Sequence, residues 1–186
     1  HGVFFVNLPD LSSSVENIQI QRGVGTSNNG AAAFGASLNI QTSDRAEHAF
    51  ATITSSIGSF NSLKHSLSFG TGIGNNGFSL DGRLSKITSD GFVERGASDL
   101  KSYFLAVNWA NSRNIVKLIA TSGKEKTYQS WYGIPKDSLK SNRRYNPAGA
   151  ILDDDGQISG YYPNQTDNYQ QDYYQLHAAR ELNKQF

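Results

Sequence analysis

Apolar and polar residues alternate along most of this chain, in segments that turns separate. Within residues 62–74, for example, the odd positions are mainly apolar and the even positions are polar or glycine. Because successive side chains of a β-strand point to opposite faces, this period of two predicts strands with one apolar and one polar face. No helical period of useful length appears, so we predict an all-β fold. The predicted strands are residues 46–58, 62–74, 78–86, 102–110, 114–126 and 168–181.

The first 43 residues lack this regular alternation, and we treat them as a separate unit. We predict short strands there at residues 4–8, 15–21 and 37–41. The last two strands flank a stretch rich in glycine, alanine and asparagine. Small side chains in such a stretch allow close backbone approach and positive φ. The predicted division is therefore residues 1–43 and residues 44–186.

The predicted turns alternate in length, which distinguishes the two ends of the sheet. Residues 75–77 and 111–113 are short connections, and the Asn-Gly pair in the first favours a tight hairpin. Residues 89–99 form a longer connection, and residues 127–167 form by far the longest. Short turns at one end and long loops at the other are typical of outer-membrane barrels. Residues 59–61 are an exception, because this short turn falls at the long-loop end.

Strand length gives a further indication of the fold. Several segments exceed the roughly five or six residues of a typical soluble strand and reach the roughly nine to eleven that cross a bilayer. Tyr103 and Trp109 lie near opposite ends of one apolar face, as the interfacial aromatic residues of a membrane barrel do. The same alternation also fits a soluble β-sandwich or a lipocalin-like barrel. The pattern alone therefore leaves both architectures open.

Composition excludes several classes of function. The chain has 186 residues and a net charge of +1, which is too small to indicate a nucleic-acid partner. It contains no cysteine, so disulfides and thiol nucleophiles are excluded. No apolar run approaches the roughly 18 residues of a membrane-spanning helix. No arrangement of residues predicts a catalytic site, and we expect neither enzymatic activity nor a cofactor.

We do not expect a metal site either. The four histidines are scattered without the spacing of metal ligands. Asp153, Asp154 and Asp155 precede Gly156 and could supply some calcium ligands, but no glutamate follows at the distance that a calcium loop requires. A solvated acidic turn is therefore expected at this position.

The opening residues carry a more specific signal than the strands. The segments GVFFVNLPD and VENIQIQRGVGTSNNGAAAFGASLNIQT resemble the C-terminal half of the plug domain of TonB-dependent outer-membrane receptors. The resemblance lies in an apolar strand that ends in Arg22 and Gly23, a small-residue loop with Phe34 and Gly35, and a strand that leads into alternating segments. The later stretch YQSWYGIPKDSLKSNRRYNPAG looks like the form of this family found in Bacteroidetes.

This resemblance implies a fold, a location and a function. Residues 1–43 would be the end of a plug, and residues 44–186 about six antiparallel strands of an incomplete transmembrane β-barrel in the bacterial outer membrane. Residues 127–167 would be a long extracellular loop. The implied function is energy-coupled uptake of a scarce nutrient, a ferric siderophore or related metal chelate, with TonB and outer-membrane lipid as partners. The alternative is a soluble all-β binding or adhesion module.

Receptors of this family are much longer than this chain, and TonB binds them through an upstream segment. We therefore expect the chain to be a fragment of such a receptor. Six tilted strands cannot close around a plug, and open strand edges tend to pair with other copies. In isolation the chain is accordingly expected to associate through its edges and not to transport.

The resemblance gives two groups of candidate site residues. Arg22, Gly23, Phe34 and Gly35 are predicted to contact the barrel wall, with Arg22 paired to wall carboxylates; an ordinary solvated arginine is the alternative. In the long loop, aromatic and cationic side chains interleave, which suits an aryl or anionic ligand. Alternatively, these aromatic side chains anchor the loop at the membrane interface or pack it internally. The ligand candidates are Tyr128, Trp131, Tyr132, Arg143 and Arg144.

Overall fold

The computed structural model describes residues 8–23, 35–42 and 45–182, and most of them form antiparallel strands. Strands account for 60% of the structure and helices for 5%, so the predicted all-β class is confirmed. The predicted strand at residues 4–8 lies almost entirely outside the described residues. The strands are β1 Val15–Arg22, β2 Ala36–Thr42, β3 Ala49–Gly58, β4 Ser62–Thr71, β5 Phe78–Ser89, β6 Ser98–Ala110, β7 Asn114–Tyr128, β8 Ala150–Leu152, β9 Ile158–Tyr161 and β10 Thr166–Arg180.

The six longer strands after the N-terminal unit form one sheet. Its order is β3, β4, β5, β6, β7 and β10, and every pairing is antiparallel. The β8–β9 hairpin and the single-turn helix α1 (Ser138–Ser141) lie in the connection between β7 and β10. The long predicted loop therefore contains secondary structure of its own. Among the described residues, no helix has the length and apolar character needed to cross a membrane.

Some strands extend further than the alternation of side chains predicts, because their backbone pairing continues past the last apolar residue. β6 begins at Ser98, opposite Ser89 of β5, several residues before the predicted start. β7 continues to Tyr128, opposite Thr166 of β10. β3 and β4 are slightly shorter than predicted. Hydrogen bonding to a long neighbouring strand therefore sets these ends, because ladder bonds need no particular side chain.

The two faces of the large sheet have opposite polarity. One face is apolar and exposed: Ile53 is 79% exposed, Leu84 is 49% exposed and Leu118 is 47% exposed. The other face is polar and partly covered, with Arg83 and Asp81 both buried. In a soluble antiparallel sheet the apolar face is the one that packs on the core. The polarity of this sheet is therefore inverted.

The N-terminal unit packs against the polar face. β1 and β2 pair with each other as a separate antiparallel hairpin and do not join the large sheet. A 3-10 turn, Leu11–Ser14, precedes β1. Leu11 and Ile40 border a cavity of about 500 Å³ whose other wall includes Phe104 and Ile119 of the sheet. These last two side chains belong to the buried apolar cluster of the described residues, which therefore lies where the two units meet.

Candidate functional site

Asp10 connects the N-terminal unit to the polar face of the sheet. Its carboxylate accepts hydrogen bonds from Lys64 Nζ at 2.6 Å and from Arg83 Nη1 at 2.9 Å. Ser13 donates to the same carboxylate, and Arg83 Nε donates to Ser14 Oγ at 2.7 Å. The backbone of Asp10 is left-handed, with φ 58°, a conformation that aspartate adopts more readily than most residues. These bonds join residues 10–14 to β4 and β5.

The ion pair between Asp10 and Arg83 is buried, since each side chain is only 4% exposed. Arg83 Nη1 also donates to Ser102 Oγ on β6 at 3.2 Å. Burial opposes ionisation of Asp10, but hydrogen bonds from Lys64 and Ser13 and the charge of Arg83 outweigh it, so the pKa of Asp10 is lowered. A buried charge that loses its partner is strongly destabilising. Each member of this pair therefore depends on the other.

The residues predicted to contact the barrel wall lie away from this ion pair. Arg22 ends β1, is exposed, and forms no ion pair with any described residue. Gly23 N–H donates to Gly35 O at 2.9 Å, which extends the β1–β2 pairing. Phe34 lies outside the described residues. Wall contact by these four residues stays a prediction, while the observed contact is made by Asp10, which no sequence pattern marked.

The connection between β7 and β10 is built around Asn146, which is 1% exposed. Asn146 Nδ2 donates to Glu94 O and to Gln129 O, both at 3.0 Å, and Oδ1 accepts from Ala148 N at 3.0 Å. Glu94 belongs to the connection between β5 and β6, so one amide joins the two long connections. Removing it would leave two partly buried carbonyl groups without these donors, which costs more than the bonds themselves contribute.

Two arginines strengthen the contact between these connections. Arg144 Nε donates to Phe92 O at 2.7 Å, and its guanidinium lies 5.5 Å from the centroid of the Phe60 ring. The Arg95 guanidinium lies over the Tyr161 ring, 3.4 Å from its centroid. Cations in this position are attracted by the ring face. Since Phe60 lies in the β3–β4 turn, all three connections at this end of the sheet are linked.

The five loop residues predicted to bind a ligand have different surroundings. The Tyr128 hydroxyl donates to a backbone carbonyl across the loop at 2.7 Å, and Arg144 bonds another carbonyl, so both stabilise the loop. Trp131 is 70% exposed and Tyr132 is 63% exposed, and Arg143 and Arg144 are both exposed. Internal packing, the alternative for the aromatic residues, therefore accounts for Tyr128, while Arg144 is exposed but bonded to a neighbouring connection. Ligand binding by this set stays a prediction.

A cavity of about 390 Å³ lies where the polar face of the sheet meets the long loop. Tyr128 and Trp131 line it, together with the carboxylates of Glu125 and Asp167. Neither acid was among the sequence candidates, which favoured the cationic side chains of the loop. A signal was present, because the alternation of β7 places Glu125 on the polar face with Thr121.

The acidic run of the long loop forms the turn of the β8–β9 hairpin. Asp153 Oδ1 accepts the backbone N–H of Asp155 at 3.1 Å and that of Gln157 at 2.7 Å. Gly156 supplies the left-handed backbone of the turn, with φ 75°. A side-chain carboxylate used in this way replaces a backbone acceptor. Among the described residues, no three His, Cys, Asp or Glu side chains are grouped so that they could hold a metal ion.

Comparisons of the sequence with protein-family models and with curated proteins give no match. Arguments about function therefore start from the geometry described above. The two features that bear most directly on function are the inverted polarity of the sheet and the buried Asp10–Arg83 contact.

Proposed function

We propose that this chain is part of a TonB-dependent outer-membrane receptor that imports a scarce nutrient, with ferric siderophores or related metal chelates as the first candidates. The polarity of the large sheet carries the proposal. Its apolar face is exposed, and the N-terminal unit is bonded to its polar face. A barrel wall that faces lipid outside and a polar plug inside has this arrangement.

The apolar face extends across the sheet. Ile57 is 85% exposed on β3 and Leu176 is 69% exposed on β10, the two outermost strands. No described strand or helix makes an extensive contact with this face. At the short-turn end, the rings of Phe78 and Trp109 lie 6.1 Å apart, where aromatic residues favour a membrane–water interface. Lipid contact explains both the exposed face and this aromatic pair.

Strand length supports the same interpretation. β5 has 12 residues, β6 has 13, and β7 and β10 each have 15. About nine to eleven tilted residues are enough to cross a bilayer. The strands therefore extend past the lipid at the long-loop end, where the connections contact one another above the proposed membrane surface.

The polar contact suits a plug that must be displaced. Asp10, Ser14, Lys64 and Arg83 are joined by hydrogen bonds and ion pairs, and the apolar cluster beside them is small. Water can take over such bonds when the segment moves, because every group involved is hydrophilic. A pull by TonB on the N-terminal unit separates it from the wall, and the uncovered polar face then lines a water-filled path.

The proposal also places a requirement on the edges of the sheet. β3 and β10 each pair with one strand only among the described residues. Unpaired backbone groups are not tolerated in the bilayer core. Further strands must therefore pair with β3 and β10 in the membrane, and edge association of isolated copies stays a prediction.

Cell fractionation and a growth assay test the proposal. We expect the protein in the outer-membrane fraction, resistant to extraction by carbonate or high salt and released by detergent. In a strain without other receptors, we expect growth on ferric chelates as the iron source only when both this protein and TonB are present. A receptor that works without TonB would contradict the energy-coupled mechanism.

A stable soluble monomer in the absence of detergent would contradict the membrane location. It would favour the alternative, a soluble all-β binding or adhesion module. That alternative requires a second layer of structure on the apolar face to bury Ile53 and Leu84. None of the elements in residues 8–23, 35–42 and 45–182 supplies such a layer.

A further inference from the structure

The cavity at the long-loop end of the polar face has an acidic and aromatic lining. Its volume of about 390 Å³ lies within the range of small-molecule sites, roughly 300–1,000 Å³. The residues that line it include the acids Glu125 of β7 and Asp167 of β10, the aromatic residue Trp131, and the hydroxyl-bearing residues Ser98 and Thr127. The lining therefore suits a small ligand with hydrogen-bond donors.

Glu125 is a buried acid without a partner. It is 7% exposed, and across the described ranges it forms no ion pair and accepts no hydrogen bond. Glu125 pairs with Tyr169 and Thr127 pairs with Asp167, so the two acids are diagonal neighbours on one face of the sheet. Burying a carboxylate beside a second one is costly unless one of them takes up a proton or a cation accompanies them.

Among the described residues, no lysine or arginine lines this cavity. The Arg95 guanidinium lies 5.8 Å from the centroid of the Tyr128 ring, but it packs on Tyr161 and is not part of the lining. Lys124 and Lys126 flank Glu125 in the sequence, but successive side chains of a strand alternate between faces. Both lysines are exposed on the opposite side of the sheet. The unbalanced negative charge is thus directed into the cavity.

We propose that this cavity binds a positively charged organic group, an ammonium or a guanidinium, carried by the imported nutrient. This inference deepens the proposed import function and rests on it for the role of the ligand as a nutrient. Glu125 and Asp167 accept charge-assisted hydrogen bonds from the N–H groups of the ligand. Trp131 covers the cation with its ring face at the open side of the cavity.

Other ligand charges fit the cavity less well. An anion would be repelled by two carboxylates, and Arg143 and Arg144, predicted for an anionic ligand, do not line the cavity. A calcium ion requires about six to eight oxygen ligands, and the described residues offer only two carboxylates here. An organic cation needs fewer fixed ligands and gains from the indole of Trp131.

Calorimetric titration with agmatine, which carries one ammonium and one guanidinium group, tests the proposal. The full protein is taken from whichever cell fraction contains it, and an uncharged diol of similar length is the comparison ligand. We expect saturable binding of agmatine and none of the diol. Glu125→Gln removes the charge at constant size and should weaken binding at least about tenfold. Asp154→Asn, in the exposed β8–β9 turn, should leave the affinity unchanged.

A second variant and a second measurement make the test independent of the Glu125→Gln substitution. If Glu125→Gln does not fold, Asp167→Asn should also weaken agmatine binding. The chain has two tryptophans, Trp109 and Trp131, so Trp109→Phe leaves Trp131 as the only one. Its fluorescence should then change on addition of agmatine and not on addition of the diol.

Three results would overturn the inference: no saturable agmatine binding, equal affinity in the Glu125 variant, or tighter binding of citrate or calcium than of agmatine. Each of these leaves the import proposal standing if the protein is still in the outer membrane and supports growth. Conversely, a soluble protein that binds agmatine through Glu125 would remove the import proposal and keep the cation site.

Discussion

Asp10 Oδ2 lies 2.9 Å from Arg83 Nη1, and both side chains are almost fully buried. This pair joins a turn of the N-terminal unit to the middle of β5. In the proposed receptor, it is a contact between plug and wall in which the wall supplies the cation. The contact predicted for Arg22 has the reverse arrangement, because there the plug supplies the cation and the wall supplies the carboxylates. The two contacts are compatible, because Arg22 is the last residue of β1 whereas Asp10 lies before the 3-10 turn that precedes β1.

Replacing Asp10 with asparagine removes the charge and nearly conserves the size of the side chain. The buried guanidinium of Arg83 then lacks its counter-charge, and breaking a buried pair in this way costs about 3–5 kcal/mol of unfolding free energy. The exposed Lys86–Asp99 pair is a matched control, since such pairs contribute at most about 1 kcal/mol. Denaturant titration of Asp10→Asn and Asp99→Asn measures both. Equal losses would mean that the buried Asp10 contact stabilises the fold no more than the exposed pair does.

Acid should weaken the same contact. The pKa of Asp10 lies below its ordinary value of 3.8, because the bonds from Lys64 and Ser13 and the charge of Arg83 outweigh burial. A lowered folded-state pKa gives stability that is complete above the unfolded-state pKa and is lost as the pH falls through the folded-state value. Below about pH 4, the unfolding free energy should therefore fall more steeply in the native protein than in Asp10→Asn. Parallel curves for the two proteins would contradict this assignment.

The alternation of side chains predicted every strand of the large sheet, because strands whose two faces meet different surroundings must alternate. The alternation does not predict Ser98 and the next few residues at the start of β6, because they pair with β5 without an apolar pattern. Their ladder bonds come from the backbone and leave no mark in the sequence. β8 and β9, with three and four residues, are too short for a period to be visible.

The candidate site was less predictable than the fold. Asp10 and Arg83 are separated by 73 positions, and nothing local to either residue identifies its partner. Tyr128 and Arg144 have the residue types of a ligand site, but both bond to backbone carbonyls, which every sequence provides. The alternation of β7 predicts which of its residues lie on the polar face. The cavity beside Glu125 also depends on the fold of the long loop, which the alternation does not predict.

Alanine substitutions at Gly77 and Gly156 separate the energetic cost of backbone strain from the cost of a steric clash. Both have a left-handed backbone, with φ 79° and 75°, so alanine strains each by about 1 kcal/mol. At Gly77 an added Cβ would also lie 2.0 Å from the carbonyl oxygen of Ala110, whereas at Gly156 it would meet nothing within 4 Å. We expect Gly77→Ala to lower the unfolding free energy by about 1–3 kcal/mol more than Gly156→Ala. Equal effects in denaturant titration would argue against close contact between the β4–β5 turn and the end of β6.

Arg143 and Arg144 are neighbouring residues and both are exposed, but of the two only the Arg144 side chain contacts other described residues. Arg144→Ala removes the bond to Phe92 O and the cation over the Phe60 ring, at a cost of about 1–2 kcal/mol. We therefore expect faster proteolysis within residues 129–165, measured by limited digestion and mass spectrometry. Arg143→Ala, at an exposed position, should leave the digestion rate unchanged. If Arg144→Ala also leaves it unchanged, packing does not explain this residue and its predicted ligand role gains support.

Ile53 and Thr54 are consecutive residues of β3 that project from opposite faces of the sheet. Ile53 lies on the apolar face and is 79% exposed, while Thr54 lies on the polar face opposite Ser66. A lysine that faces lipid costs about 2–4 kcal/mol near the middle of the bilayer, whereas a lysine on the lumen side remains in contact with water. Ile53→Lys should therefore lower the amount of protein in the outer-membrane fraction severalfold, and Thr54→Lys should not, as quantified by immunoblot. In a soluble protein an added charge at the exposed Ile53 would be harmless, so equal yields would show that this face does not meet lipid, and the import function would fail with it.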